Sequence, residues 1–114
     1  MITAVQVSVL VGRNVELICF AQYSVYIHLQ GGALLTVEGD YEHIHDGRRK
    51  VYRLSSPIVE SSLMSILESK VASAAVEANG ELQLAFSNGD TLRIYKELPY
   101  ESYRLKIGSE ESIV

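Results

Sequence analysis

The stretch Gly80–Tyr95, GELQLAFSNGDTLRIY, carries the clearest structural signal in the chain. Leu82, Leu84 and Phe86 alternate with Gln83 and Ala85, the period-two pattern of a strand with one buried face. Asn88-Gly89 is the strongest short hairpin dipeptide, because both residues tolerate positive φ. Thr91 to Tyr95 returns with Leu92 and Ile94 inward. A last strand, Ser102 to Ile107, places Tyr103, Leu105 and Ile107 on one face.

An earlier segment repeats this grammar. Val25, Ile27 and Leu29 alternate with Tyr26, His28 and Gln30, Gly31-Gly32 supplies a tight turn, and Ala33 to Glu38 returns with Leu35 and Val37 inward. Before it, Asn14 to Ala21 reads as a strand with Val15, Leu17, Cys19 and Ala21 on its inner face. Shifting the chain by 57 residues aligns residues 9–37 with the second hairpin region without gaps: Val15 meets Ala72, Val25 meets Leu82, Gly32 meets Gly89 and Val37 meets Ile94. Two similar halves, 1–56 and 57–114, follow from this, each a helix or other segment plus a β-meander. Neither could bury its apolar face alone, so both pack into one domain. Any two alternating hairpins can also be slid into register, and that account stays open.

One helix is expected over 57–69. Ser56 can cap it, Pro57 suits its first position, and Val59, Leu63, Ile66 and Leu67 form an apolar stripe. Val71 to Glu77 then reads as a strand of small residues. Residues 2–11 are ambiguous: Ile2, Val9 and Leu10 have helical spacing, while Val5, Val7, Val9 and Val11 alternate as in a strand, the reading preferred here. Gly39 to Lys50 is read as a long exposed hairpin or loop around Asp46-Gly47, with a short strand at Val51, Tyr52 and Leu54. The fold class is therefore α+β and mostly antiparallel β.

Composition narrows the function. The chain has 114 residues, 47% hydrophobic and 21% charged, within the range of a soluble globular domain. It has no apolar run long enough for a transmembrane helix and no signal-peptide pattern near residues 1–12, so a membrane partner is not expected. Its one cysteine favours the cytoplasm weakly. A net charge of -4 is the wrong sign for direct nucleic-acid binding.

Catalytic and cofactor motifs are missing. His43 and His45, with Glu42 or Asp46, resemble a metal pair, but a site needs three or four ligands, and exposed loop histidines account for them. Cys19 has no neighbour to lower its pKa and reads as a buried thiol. Ser55, Ser56, Ser61 and Ser62 lack a nucleophile-elbow context, and Gly31-Gly32 lacks phosphate-loop spacing. Glu38 and Glu97 have nothing to bring them together. No enzyme activity, cofactor or metal is expected. Seven tyrosines and no tryptophan suit sheet packing or an interface, with Tyr26 and Tyr95 on outward positions.

The second half carries a further pattern: Leu82-x-Leu84-x-Phe86-Ser87-Asn88-Gly89-Asp90-x-Leu92, then Tyr100-Glu101-Ser102-Tyr103. Residues 63–105 resemble small bacterial domains of uncharacterised type with this hairpin and a Tyr-Glu-(Ser/Ala)-(Trp/Tyr) ending, and LVGRNVEL at Leu10–Leu17 echoes their opening. Proteins similar to these occur as immunity proteins of polymorphic toxin systems, including contact-dependent growth inhibition. The resemblance implies a cytoplasmic protein that binds the C-terminal domain of a cognate toxin, a basic nuclease, and occludes it stoichiometrically. The contact surface expected from composition is Asp40, Tyr41, Glu42, His43, His45 and Asp46, with Tyr41 as an aromatic anchor. The alternative is a small homo-oligomeric structural or adaptor protein. Monomer and dimer both remain open.

Overall fold

A computed structural model describes residues 2–53, 56, 57, 60–96 and 101–114. The chain opens with a short helix, α1 (Ala4–Ser8), followed by three strands, β1 (Val15–Phe20), β2 (Val25–Leu29) and β3 (Ala33–Val37). A hairpin comes next, β4 (Tyr41–His45) and β5 (Arg48–Tyr52). A 3-10 turn spans Leu63–Ile66 and leads into β6 (Val71–Val76), β7 (Leu82–Phe86) and β8 (Thr91–Ile94). The chain closes with β9 (Tyr103–Ile107) and β10 (Glu110–Ile113).

The strands form two antiparallel five-stranded sheets, ordered β1-β2-β3-β9-β10 and β5-β4-β8-β7-β6. Each sheet is a three-strand meander extended by a hairpin from elsewhere in the chain. Val37 pairs with Tyr103 where β3 meets β9, and Ile94 pairs with Tyr41 where β8 meets β4. The sheets are stitched at β1 and β6. Val15 N–H donates to Ser69 C=O at 2.8 Å, and Val71 N–H donates to Arg13 C=O at 3.0 Å. Gly12 N–H reaches Val71 C=O, and Glu68 N–H reaches Val15 C=O, both at 2.8 Å. Between the sheets lies one core of Val7, Leu10, Ile27, Leu29, Leu35, Leu63, Ile66, Leu82, Leu92, Ile94 and Tyr103, among others. The radius of gyration, 12.8 Å, is close to the roughly 13 Å of a compact chain this long. No helix among the described residues is long and apolar enough to cross a membrane.

The hairpins β2–β3 and β7–β8 match the sequence expectation, with alternating burial in all four strands except at Thr36. Four expectations are corrected. Residues 4–8 are helical, because Thr3 and Gln6 form a reciprocal capping box: Thr3 Oγ1 accepts from Gln6 N–H, and Gln6 Oε1 accepts from Thr3 N–H. The described part of 57–69 contains the 3-10 turn, whose Leu63 and Ile66 are buried at i, i+3; Val59 lies outside the described residues. A bulge between Val15 and Leu17 reverses the faces of β1. Ile18 is buried, whereas Leu17 and Cys19 are exposed, so Cys19 is not a core thiol. Finally, of the two readings of Gly39–Lys50 the hairpin holds, but it is not an exposed one: its first strand pairs with β8 in the second sheet, with Tyr41 and His43 buried.

Candidate functional site

The six residues expected to form one contact surface lie on β4 and its two ends. Period-two alternation divides them. Tyr41, His43 and His45 face the sheet interior, Glu42 faces outward, and Asp40 and Asp46 flank the strand. Tyr41 and His43 are buried. Only Asp46, in the turn at φ 51°, is fully exposed. Asp40 sits 3.7 Å from Arg53. Glu42 accepts from Tyr95 Oη at 2.7 Å and lies 3.5 Å from Arg49. Burial, and then the carboxylate of Glu42, push the Tyr95 phenol above its ordinary pKa. Tyr95 is thus tied to the sheet and is not a free interface residue.

Instead, β4 assembles a polar cluster around Asp90, a residue that sequence reasoning placed only in a turn. Asn88 and Gly89 turn the chain, and Asn88 Oδ1 accepts from Asp90 N–H at 2.9 Å. Asn88 Nδ2 donates to Ser65 C=O at 3.0 Å, fastening the 3-10 turn to the hairpin. The Asp90 carboxylate then meets Ser65 Oγ at 2.5 Å, His43 Nε2 at 2.8 Å and His45 Nδ1 at 2.9 Å. On its other side His43 Nδ1 lies 2.6 Å from Ser62 Oγ, which is 2.9 Å from Tyr52 Oη. The two imidazoles stack with centroids 5.9 Å apart.

Donor counting assigns the protons. An ionised Asp90 only accepts, so Ser65 Oγ–H, His43 Nε2–H and His45 Nδ1–H all donate to it. On the far side, Tyr52 Oη–H donates to Glu60 C=O at 3.1 Å, and Ser62 Oγ lies within bonding distance of both His43 Nδ1 and Tyr52 Oη. Burial works against ionisation of Asp90, but the hydrogen bonds from Ser65, His45 and His43 outweigh it and hold the carboxyl below its ordinary pKa. The bond to Asp90 is the main cause that raises the pKa of His45. Every buried side-chain polar atom among the described residues has a partner.

Ser62, His43 and Asp90 have the distances of a nucleophile, base and orienting acid. The surroundings tie them down. Ser62 N–H donates to Tyr52 Oη at 3.0 Å and Leu63 N–H to Ser61 Oγ at 3.3 Å, so neither is left to receive an oxyanion. The His43 side chain is fully buried. What the arrangement does is clamp: it fixes the 3-10 turn onto β4 and the β7–β8 turn. No group of three or more His, Cys, Asp and Glu side chains among the described residues is arranged to hold a metal.

A pH effect follows from these shifts. Asp90 has a depressed folded pKa, so its contribution is present above the unfolded value and lost as pH falls through the folded one. His45 has a raised folded pKa, so its contribution is complete below the unfolded value and lost as pH rises through the folded one. Thermal stability should therefore peak between about pH 4 and about pH 6.5. In a series of melts, His45→Gln should flatten the neutral-to-alkaline decline and change the acid limb less, because Ser65 and His43 still donate to Asp90. An unchanged decline would separate His45 from the effect.

A charge cluster lies on the first sheet. Glu38 Oε1 accepts from Arg104 Nε at 2.7 Å, Glu101 Oε2 accepts from Arg104 at 3.0 Å, and Glu111 lies 3.9 Å away. Three carboxylates thus share one guanidinium, whose pKa is raised by Glu38 first and then Glu101. Composition alone could not reveal this, because Glu38 comes from a segment far from the other two in sequence. Glu97 lies outside the described residues.

A sequence family described as "Family of unknown function (DUF6188)" matches residues 7–114. No curated protein and no solved structure matches the chain.

Proposed function

We propose that this chain, which belongs to that family of unknown function, is a cytoplasmic protein-binding inhibitor. On this reading it is an immunity protein that neutralises the basic C-terminal nuclease domain of a cognate toxin by stoichiometric occlusion. The resemblance of the Leu82–Leu92 hairpin and Tyr100–Tyr103 to immunity-type domains supports this reading. The observation that carries it is the convergence of Glu38, Glu101 and Glu111 on Arg104, which leaves a surplus of negative charge on one face. Such a face attracts a basic partner and speeds its encounter. The contact surface moves accordingly from residues 40–46 toward β3, β9 and β10, with Asp40 and Asp46 outside it.

The two-half reading of residues 1–56 and 57–114 belongs here as well. Gly32 and Gly89 both have positive φ, at +81° and +92°. Val25↔Val37 in one meander answers Leu82↔Ile94 in the other. Bulges at Val15/Leu17 and Val71/Ser73 set β1 and β6 at an offset of one residue less than their neighbours.

Co-expression tests the function. Where the gene immediately upstream encodes a large secreted protein with a variable C-terminal domain, that domain should arrest growth, and this chain should restore it. Charge reversal of Glu101 and Glu111 to lysine should slow association about tenfold at low salt and far less at high salt. Failure to rescue, with a folded chain present, counts against the reading. The alternative, a homo-oligomeric adaptor, draws support from the open edges of both sheets and predicts a stable dimer in sedimentation.

A further inference from the structure

The free edge of the first sheet joins three features. β10 is its last strand, and no other described strand pairs with its outer side. Val114 and Tyr103 exchange both main-chain bonds with each other, Val114 N–H to Tyr103 C=O and Tyr103 N–H to Val114 C=O. By the alternation of an antiparallel ladder, Ser112 and Glu110 also face β9. The N–H and C=O groups of Glu111 and Ile113 therefore point off the edge.

Above this edge lies charge. Glu110 and Glu111 are on the strand itself, and Glu101 and Glu38 stand beside it on Arg104. Lys106 is directly opposite Glu111 on β9, while Glu110 points to the other face, so three carboxylates stand with two cations. Below it lies an open apolar groove with a volume near 220 Å³, lined by Val5, Val9, Leu105, Ile107, Glu110 and Ser112. Val5 is 76% exposed and Val9 44%, an unusual outlay of apolar surface beside an acidic strand.

We infer that β10 is a strand-addition site for an extended basic segment of the partner. Main-chain bonds to Glu111 and Ile113 hold the segment. Alternate side chains place lysine or arginine beside Glu111, within the field of Glu101 and Glu38, and place an apolar side chain in the groove beside Val9. Edge carboxylates ordinarily prevent pairing between copies, since two such edges repel. They become an attraction only toward a strand of opposite charge, and this selects a basic segment over a second copy. The inference rests on reading the partner as a basic protein.

The probe is an acetylated, amidated hexapeptide of alternating lysine and valine, titrated into the full chain and followed by backbone and methyl NMR. Saturable binding is expected, with shifts at Glu111, Ser112 and Ile113 and in the methyls of Val5 and Val9. Ile113→Pro removes an outward N–H without touching a ladder bond to β9. It and Glu111→Lys should each weaken binding at least tenfold with an unchanged melting temperature. A glutamate–valine peptide should not bind. Equal binding of that peptide, undiminished binding to Ile113→Pro, or shifts centred elsewhere overturns the inference. So does a dimer of the chain that Ile113→Pro dissociates, since a second copy would then own the edge. Co-expression separates this from the functional reading. Growth rescue that survives Ile113→Pro rejects the edge and keeps the inhibitor. Peptide binding without rescue from any neighbouring toxin domain keeps the edge and rejects the inhibitor.

Discussion

Asp90→Ala should cost about 3 kcal/mol or more, because it removes the charged acceptor of several hydrogen bonds worth about 1.5–3 kcal/mol each. The carboxylate is the acceptor for His43, His45 and Ser65 together, and its side chain is 3% exposed. Removing it leaves the His43 Nε2–H with only a long 3.4 Å contact to Ser65 Oγ, and takes away the side-chain acceptor of Ser65, whose carbonyl stays on Asn88. At roughly 4 °C per kcal/mol for a domain of this size, the melting temperature falls by ~12 °C or more. The second arm is more telling. His43 occupies the β4 position opposite Leu92, and in the other sheet the corresponding β9 position opposite Leu35 is Leu105. On the proposed two-half reading, the buried Leu105 shows an apolar side chain packed at the equivalent place. His43→Leu combined with Asp90→Ala should recover much of the loss, giving a coupling energy of about 2 kcal/mol in a double-mutant cycle. Additive losses would show that His43 and Asp90 act separately, and would sink the account of the cluster as one clamp.

Much of the fold was legible from residue alternation. β2, β3, β7 and β8 each alternate over several residues and are separated by Gly31-Gly32 or Asn88-Gly89, so pattern and turn chemistry agree. β1 was legible as a strand but not in its facing. A one-residue bulge near Leu17 moves Ile18 inward, and no residue in Val15–Phe20 announces that bulge. β10 escaped because Glu110-Glu111-Ser112-Ile113 lies at an edge, where neither face needs to be apolar. In the candidate site, the spacing Tyr41-x-His43-x-His45 was a usable sign that all three share one face. Their burial was not, because it depends on Asp90, 47 residues beyond His43. Ser62 and Ser65 fall inside the helix expected over 57–69, where nothing marks them as partners of His43 and Asp90. The acidic face around Arg104 was invisible for the same reason, since Glu38 and Arg104 are 66 residues apart.

The second large effect belongs to Tyr103, which joins regions of the chain that no single hairpin connects. Its ring is fully buried on β9, opposite Val37. Its hydroxyl donates to Gly80 C=O at 2.7 Å, in the turn between β6 and β7 of the other sheet. Gly80 has φ +96°, and a Cβ there would come within 3.2 Å of Val114 Cγ1, so the turn is held close against the end of β10. Tyr103→Ala removes both the aromatic filling and the bond, and should cost about 3–5 kcal/mol. Tyr103→Phe keeps the ring but leaves the Gly80 carbonyl buried without a donor, at about 1–3 kcal/mol. Equal losses for the two variants would place the whole effect in the hydrogen bond, and no loss for Tyr103→Phe would place it in packing. An alkaline titration adds an independent readout. Burial pushes the Tyr103 phenol up to about 12. A folded pKa above the unfolded one means that this contribution is complete below about pH 10 and disappears as pH approaches the folded value. Tyr41 and Tyr95 are shifted in the same direction, so they retain part of the alkaline decline. Tyr103→Phe should therefore start from a lower melting temperature and lose less of it between about pH 10 and about pH 12. Parallel curves for the variant and the natural chain would exclude ionisation of Tyr103 as a source of alkaline unfolding.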